Sequence, residues 1–362
     1  MKKISLFIGN YYKFGGEQQI SVILANLLAE NPDYEITVVS VFKTSDTPMY
    51  KFHPRIKFEN IFTQPFPPKK NPIKFFMGCR NFFKRFERQD LIIAWTSYAM
   101  FYSKLLPRGT KSIYWDHQGF TVGKKFGLTW LGRRIAARSA NAIVCITKAS
   151  INEYRKHIKN KSRVECIYHG VNSELSLTDY NFESREIISC GRLAHQKGFD
   201  MLVDVADIVL RKHPDWQWHI YGEGEKREFL EAKIAKYGLS EKVVLKGYAS
   251  NMNEIYSRYS LFAMTSRFEG FGLVLCEAMA GKLPLVAFDV ESGPNELIGD
   301  NSNGFLVPPF NIEQMADKIC ELIENSALRK SFSDASAKKF ENFSLEAFSS
   351  KWNALIASVL SK

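Results

Sequence analysis

An α/β protein of two Rossmann-like domains, with parallel sheets facing a cleft between them, is what the sequence predicts. The chain has 362 residues, too many for one ordinary core. Short, near-continuous apolar runs alternate with helix-length amphipathic segments almost throughout, as in parallel sheets covered on both faces. Residues 170–185 are polar and aperiodic and divide these runs into two sets, so domains are expected over 1–172 and 173–344.

In the first set, strands are expected at 4–8, 36–42, 91–95, 112–115, 142–146 and 164–168. Basic Lys2 and Lys3 before the first apolar run superficially suggest a secretory leader. The run is too short, however, and a polar, glycine-bearing segment follows, so it reads as a buried strand. Gly15 and Gly16 come next, and Ile20, Ile23, Leu24, Leu27 and Leu28 then share one stripe, predicting a helix over 17–29. Residues 69–88 hold seven basic side chains, one acidic side chain and five phenylalanines. Phe75, Phe76, Phe82, Phe83 and Phe86 share one helical face, which either packs on the sheet or lies in an anionic membrane interface. Lys124, Lys125, Trp130, Arg133, Arg134 and Arg138 favour the membrane. In the second set, strands are expected at 187–190, 217–221, 243–245, 261–265, 283–288 and 304–307.

No apolar run approaches the ~20 residues of a membrane-spanning helix. The six cysteines form no C-x-x-C pair and several lie in strand-like runs, which suits buried, reduced thiols in a cytoplasmic protein. Neither metal-ligand spacing nor a loop Asp-x-Asp is present, so no metal or other cofactor is expected. The net charge of +11 is uneven: residues 1–172 carry 28 Lys/Arg against 11 Asp/Glu, and the remainder 21 against 27. The first domain is therefore expected to meet an anionic surface.

Residues 266–298 are the richest in chemistry. A strand-length apolar run leads into a turn holding Gly270 and Gly272, with Glu269 before it and Glu277 on the helix after it. A helix opening on glycine offers free N–H groups to an anion, and a carboxylate at the same turn accepts from hydroxyls. Together they point to a nucleotide sugar. Gly191-Arg192-Leu193 with Lys197-Gly198 puts two cations at another strand's end; this is either a clamp on a departing phosphate or a solvated basic loop. His117, just past a strand end, either contacts a sugar or is structural, and the adjacent Asp116 points to the opposite side. Gly222-Glu223-Gly224-Glu225 reads as a plain turn with a capping role.

With these parts together, the sequence resembles the family-4 retaining glycosyltransferases of the GT-B fold over nearly its whole length. Gly15-Gly16 matches the family's N-terminal glycine loop. Arg192 and Lys197 match its strand-end pair, Glu269 to Glu277 its E-x7-E element, and Ser292-Gly293-Pro294-Asn295-Glu296 the loop that follows. The resemblance implies that Glu269 binds hydroxyls of the donor sugar and Glu277 those of the ribose. Arg192 and Lys197 then neutralise the diphosphate, helped by the backbone N–H of Gly16 in the N-terminal loop and by those of Phe271, Gly272 and Leu273 after Gly270. His117 contacts the sugar near its reacting carbon, and Lys246-Gly247 holds the base. It also implies a final helix, within 345–362, that joins the first domain, and no divalent metal. Glu17-Gln18 after the glycine loop departs from the family pattern and puts acceptor contacts in doubt.

The activity so implied is transfer of a hexose from a nucleoside-diphosphate sugar, with a UDP-sugar expected, to a glycan or lipid-linked saccharide in bacterial surface polysaccharide synthesis. The setting is cytoplasmic, at the inner face of the membrane. A GT-B nucleotide-sugar epimerase and a basic nucleic-acid-binding module are the alternatives, with a catalytically silent scaffold a third. The acidic second domain and the glutamates leave the nucleic-acid reading without support, and no nucleic-acid partner is expected.

Overall fold

The computed structural model describes residues 1–13, 15–66, 71–95, 102–117, 128–157, 162–172, 180–249 and 252–361. Two compact units divide the chain: Met1–His169 with Phe348–Lys362, and Gly170–Ala347.

The first unit is built on strands β1 (Lys2–Ile8), β2 (Tyr34–Phe42), β3 (Lys57–Phe62), β4 (Leu91–Trp95), β5 (Lys111–Asp116), β6 (Ala142–Cys145) and β7 (Arg163–Cys166). They lie in the order β3-β2-β1-β4-β5-β6-β7, and every neighbouring pair is parallel. Chain order reverses between β1 and β4, the switch point where such sheets bind ligands beyond their strand ends. Helices α1 (Gly16–Glu30), α2 (Pro72–Arg85), α3 (Leu128–Ser139) and α4 (Lys148–His157) follow their strands. The strand at β3 was not expected. It is an edge strand whose first three residues are exposed, so it lacks the apolar run that marks the others.

α2 corrects the membrane reading of its phenylalanines. Phe75, Phe82 and Phe83 are buried in one core with Phe7 of β1, and Phe86 packs against it. Phe7 stacks on Phe83 with ring centroids 5.6 Å apart and meets Phe82 edge-on at 6.2 Å. Aromatic pairs of this kind add to the area they bury. Only Phe76 of the five faces outward, with Ile73 and Met77, beside exposed Lys74, Arg80 and Lys84. Lys69, Lys70, Lys124 and Lys125 lie outside the described residues, as do 173–179 of the aperiodic segment.

The second unit has β8 (Glu186–Cys190), β9 (Gln217–Tyr221), β10 (Val243–Gly247), β11 (Leu261–Met264), β12 (Leu285–Phe288) and β13 (Gly304–Val307). Their order is β10-β9-β8-β11-β12-β13, again all parallel. The switch point falls between β8 and β11. Helices α5 (Phe199–Lys212), α6 (Arg227–Lys236), α7 (Asn253–Tyr256), α8 (Leu273–Ala280), α9 (Pro294–Leu297), α10 (Ile312–Glu324) and α11 (Ser326–Phe340) complete it. Its core runs through Trp218 of β9, Val203 and Ala206 of α5 and Ile319 of α10, all without solvent exposure. α12 (Leu345–Leu360) reaches the first unit, where Trp352 meets Trp115 of β5 at 4.9 Å between centroids. All six cysteines are free, five of them buried. No described helix is long and apolar enough to cross a membrane.

Candidate functional site

The loops after β8 and β11 flank the second switch point, and Lys197 and Glu269 stand on them. Lys197 Nζ lies 2.6 Å from Glu269 Oε1, and both side chains are largely buried. Ser266 Oγ donates to the same Oε1 at 2.7 Å. Ser292 Oγ donates to the Glu269 carbonyl at 2.7 Å, so the loop before α9 braces the glycine turn from behind.

What brings the two loops together is a set of contacts that sequence reasoning missed. Arg267 donates from Nη1 and Nη2 to the Asp200 carboxylate at 2.7 and 2.6 Å, and from Nη1 to the His195 carbonyl at 2.9 Å. Its own amide donates to the Gln196 carbonyl at 2.8 Å, while the Gln196 amide group donates to the Phe268 carbonyl at 3.2 Å. Gly198, at φ +65°, has only 2.0 Å between the place of a Cβ and the Thr265 carbonyl oxygen, so no other residue fits. A bidentate Arg–carboxylate pair fixes direction as well as distance. The signal for it was present as Asp200 in the first turn of α5 and Arg267 within the Glu269 motif. Only the strand order shows that they meet.

Arg192 is exposed, and its side chain has no hydrogen-bond or ion-pair partner among the described residues. One cation of the pair is thus held by a carboxylate, and the other, at the same strand end, has no partner among the described residues. Gly222–Glu225 is more than a plain turn. Gly191 N–H donates to the Tyr221 carbonyl at 2.9 Å, Leu193 N–H to Glu223 at 3.0 Å, and Gly222 N–H to the Gly247 carbonyl at 2.8 Å. The ends of β8, β9 and β10 are laced into one shelf, with exposed Lys246 at its outer edge. A cavity of about 100 Å³ on the α5–α6 side, lined by His195, Phe199, Asp200, Lys226 and Leu230 among others, is far smaller than the ~300 Å³ at which ligand pockets begin.

Glu277 lies in α8, which opens on Gly272 at φ +86° and runs from Leu273. Burial pushes its carboxyl above the ordinary range, while the Tyr256 hydroxyl and the Lys197 charge pull it back. Phe271 is buried, and Gly270 is partly so.

Gly15, Gly16 and His117 belong to the first unit. Gly15 precedes α1, and its N–H donates to the Tyr50 hydroxyl at 2.8 Å, so this amide is already engaged. His117 is buried among Trp95, Trp115 and His169, and neither of its ring nitrogens has a hydrogen-bond partner among the described residues. Burial, with His169 beside it, holds its pKa well below the ordinary value, so the ring is neutral. Next to it, Asp116 takes Arg133 Nε at 2.7 Å, Arg133 Nη2 at 3.1 Å and the Tyr154 hydroxyl at 2.8 Å. Arg133 is 2% exposed, which removes it from any basic surface: its charge answers Asp116 inside the unit.

Residues 14–175 match the family model for glycosyltransferase family 4, and residues 179–339 that for glycosyl transferases group 1. An uncharacterized glycosyltransferase of Haemophilus influenzae is 28% identical over 98% of this chain and 100% of its own length. Amylovoran biosynthesis glycosyltransferase AmsD of Erwinia amylovora is also 28% identical, over the same shares of each chain. Among solved structures, a variant of S. aureus TarM in complex with fondaparinux, alpha-GlcNAc-glycerol and UDP has a TM-score of 0.79 at 18% identity, covering 98% of this chain and 99% of that one.

Proposed function

The chain belongs to the GT-B glycosyltransferases, and on that premise we propose that it moves a hexose from a UDP-sugar, with retention at the anomeric carbon, to a glycan or lipid-linked saccharide in bacterial surface polysaccharide synthesis. The observation that carries this reading is the Lys197–Glu269 contact across the second switch point, with exposed Arg192 on the same loop as Lys197. A sugar diphosphate offers a partner to each: phosphate oxygens to Arg192 and Lys197, hydroxyls to Glu269. Binding then exchanges the internal ion pair for two contacts to donor, and Lys197 moves no further than its own side chain allows.

In the proposed reaction the bond between the anomeric carbon and the β-phosphate oxygen breaks while the acceptor oxygen bonds the same face of that carbon. The acceptor proton passes to the departing phosphate. Arg192 and Lys197 stabilise the negative charge that grows on the diphosphate, the kind of contact whose loss costs ~3–4 kcal/mol of barrier. Glu277 takes the ribose hydroxyls, the amides of Gly16, Phe271, Gly272 and Leu273 support the phosphates, and Lys246-Gly247 the base. His117, neutral and with no hydrogen-bond partner among the described residues, is assigned to a sugar hydroxyl. No metal is required of these residues.

The acceptor reading is supported by the charge of residues 1–172 and by the amylovoran biosynthesis relative. We place the protein at the cytoplasmic membrane face, with the outer side of α2 (Ile73, Phe76, Met77, Arg80, Lys84) as the surface that meets anionic lipid.

A thermal-shift panel of nucleotide sugars identifies the donor, since stabilisation grows as ln(1 + [L]/Kd). Turnover of that donor is then followed with and without saccharide acceptors. Lys197→Ala is expected to lower kcat by about 10²–10³-fold. Unchanged kcat in that variant would sink the assignment, and epimerised donor without acceptor would favour the epimerase.

A further inference from the structure

Tyr256 is fully buried at the end of α7, yet its hydroxyl reaches a functional carboxylate: it donates to Glu277 Oε2 at 2.9 Å. The ring is held on several sides. Phe262 of β11 packs on it at 6.1 Å between centroids, the Cys190 thiol at the end of β8 lies near its hydroxyl, and Gly281 at the end of α8 comes so near that a Cβ there would lie 2.6 Å from Tyr256 Cβ. Three elements around the switch point thus fix where the hydroxyl points. A phenylalanine would fill the same space without bringing a polar atom that must be satisfied.

We propose that Tyr256 is a positioning residue which holds the Glu277 carboxylate as an acceptor for the ribose diol, so that the site distinguishes a nucleoside diphosphate from bare diphosphate. The proposal rests on the assignment of Glu277 to the ribose. The groups facing Glu277 are the Tyr256 hydroxyl, the Lys197 ammonium on the β8 loop, and the Cys190 and Cys276 thiols, which burial keeps protonated. Of these, only Tyr256 and Lys197 favour the charged carboxylate, against the burial that opposes it.

Isothermal titration of the full chain with UDP and with inorganic pyrophosphate, from pH 5 to 8, tests this in wild type, Tyr256→Phe and Glu277→Gln. Both variants are expected to weaken UDP by ~10-fold and leave pyrophosphate unchanged, the scale of a lost hydrogen bond to a charged group. In Tyr256→Phe, UDP affinity should also fall on acidification at a higher pH than in wild type, because the carboxylate has lost a stabilising donor. Titration of UDP itself is common to both and cancels. Wild-type affinity and pH dependence in Tyr256→Phe, with UDP weakened in Glu277→Gln, overturns the role of Tyr256 and leaves the ribose assignment standing. Full UDP affinity in Glu277→Gln overturns that assignment and this inference with it. Equal loss of UDP and pyrophosphate in Tyr256→Phe shows general disruption and also overturns the inference.

Discussion

Arg267 spans the two loops that carry Lys197 and Glu269, through its paired bonds to Asp200 and its bond to the His195 carbonyl. Removing it leaves the strands in place but frees the loops to drift by the fraction of an ångström that matters in catalysis. Arg267→Ala is expected to lower kcat by about tenfold or more, the scale of one hydrogen bond between charged groups, and Arg267→Lys less, since it keeps the charge but not the fork. Steady-state kinetics with the donor identified by thermal shift checks this; unchanged kcat in Arg267→Ala would show that the loops keep register without it. The glutamates and the strand-end cations stood out in the sequence as candidate ligand groups, and Lys197 and Glu269 do meet. Arg267 and Tyr256 did not. Each works on a partner carried by a different element: Asp200 and Arg267 meet from 67 residues apart, and Tyr256 of α7 meets Glu277 of α8.

At the scale of elements, strands buried on both faces announced themselves as apolar runs, and β4, β9 and β13 begin and end where those runs do. β3 did not, because an edge strand carries charge where an inner strand carries valine or isoleucine. α2 shows the reverse difficulty. Its aromatic stripe is core, yet Ile73, Phe76 and Met77, spaced by three and four residues, form a second apolar strip on the opposite side. Ile73 is 75% exposed and Met77 57%, with Arg80 one turn further on. Replacing the three by serine is expected to abolish sedimentation with anionic vesicles while leaving UDP affinity and Tm nearly unchanged, since exposed apolar groups contribute little to the folded core. Undiminished vesicle binding would remove α2 from the membrane contact. Loss of binding at raised salt alone would assign it to the basic residues instead.

For the molecule as a whole, three buried histidines set its behaviour in acid. Burial lowers His169 to about 3 and, with Lys246 nearby, His219 to about 4, and it holds His117 well below the usual value. A histidine with a depressed pKa in the folded state binds its proton first in the unfolded chain. Its stabilising effect is therefore complete above about pH 6.5 and is lost as pH falls towards the folded value, by ~2 kcal/mol per histidine at pH 5. Glu277, raised by burial, works in the opposite sense as pH falls. Tm measured against pH should be level above 7 and drop steeply between 6.5 and 5, and His169→Phe should flatten part of that slope. A slope identical in wild type and variant would mean that His169 is not the proton acceptor. The seating of Trp352 and Phe348 on Trp115 bears on how the protein is made. Domains ordinarily fold in the order in which they are synthesised. Here Trp115 of β5 lacks part of its cover until residues 348–360 have been made, after the whole of the second unit, so the first unit's packing is completed only once the second has been synthesised.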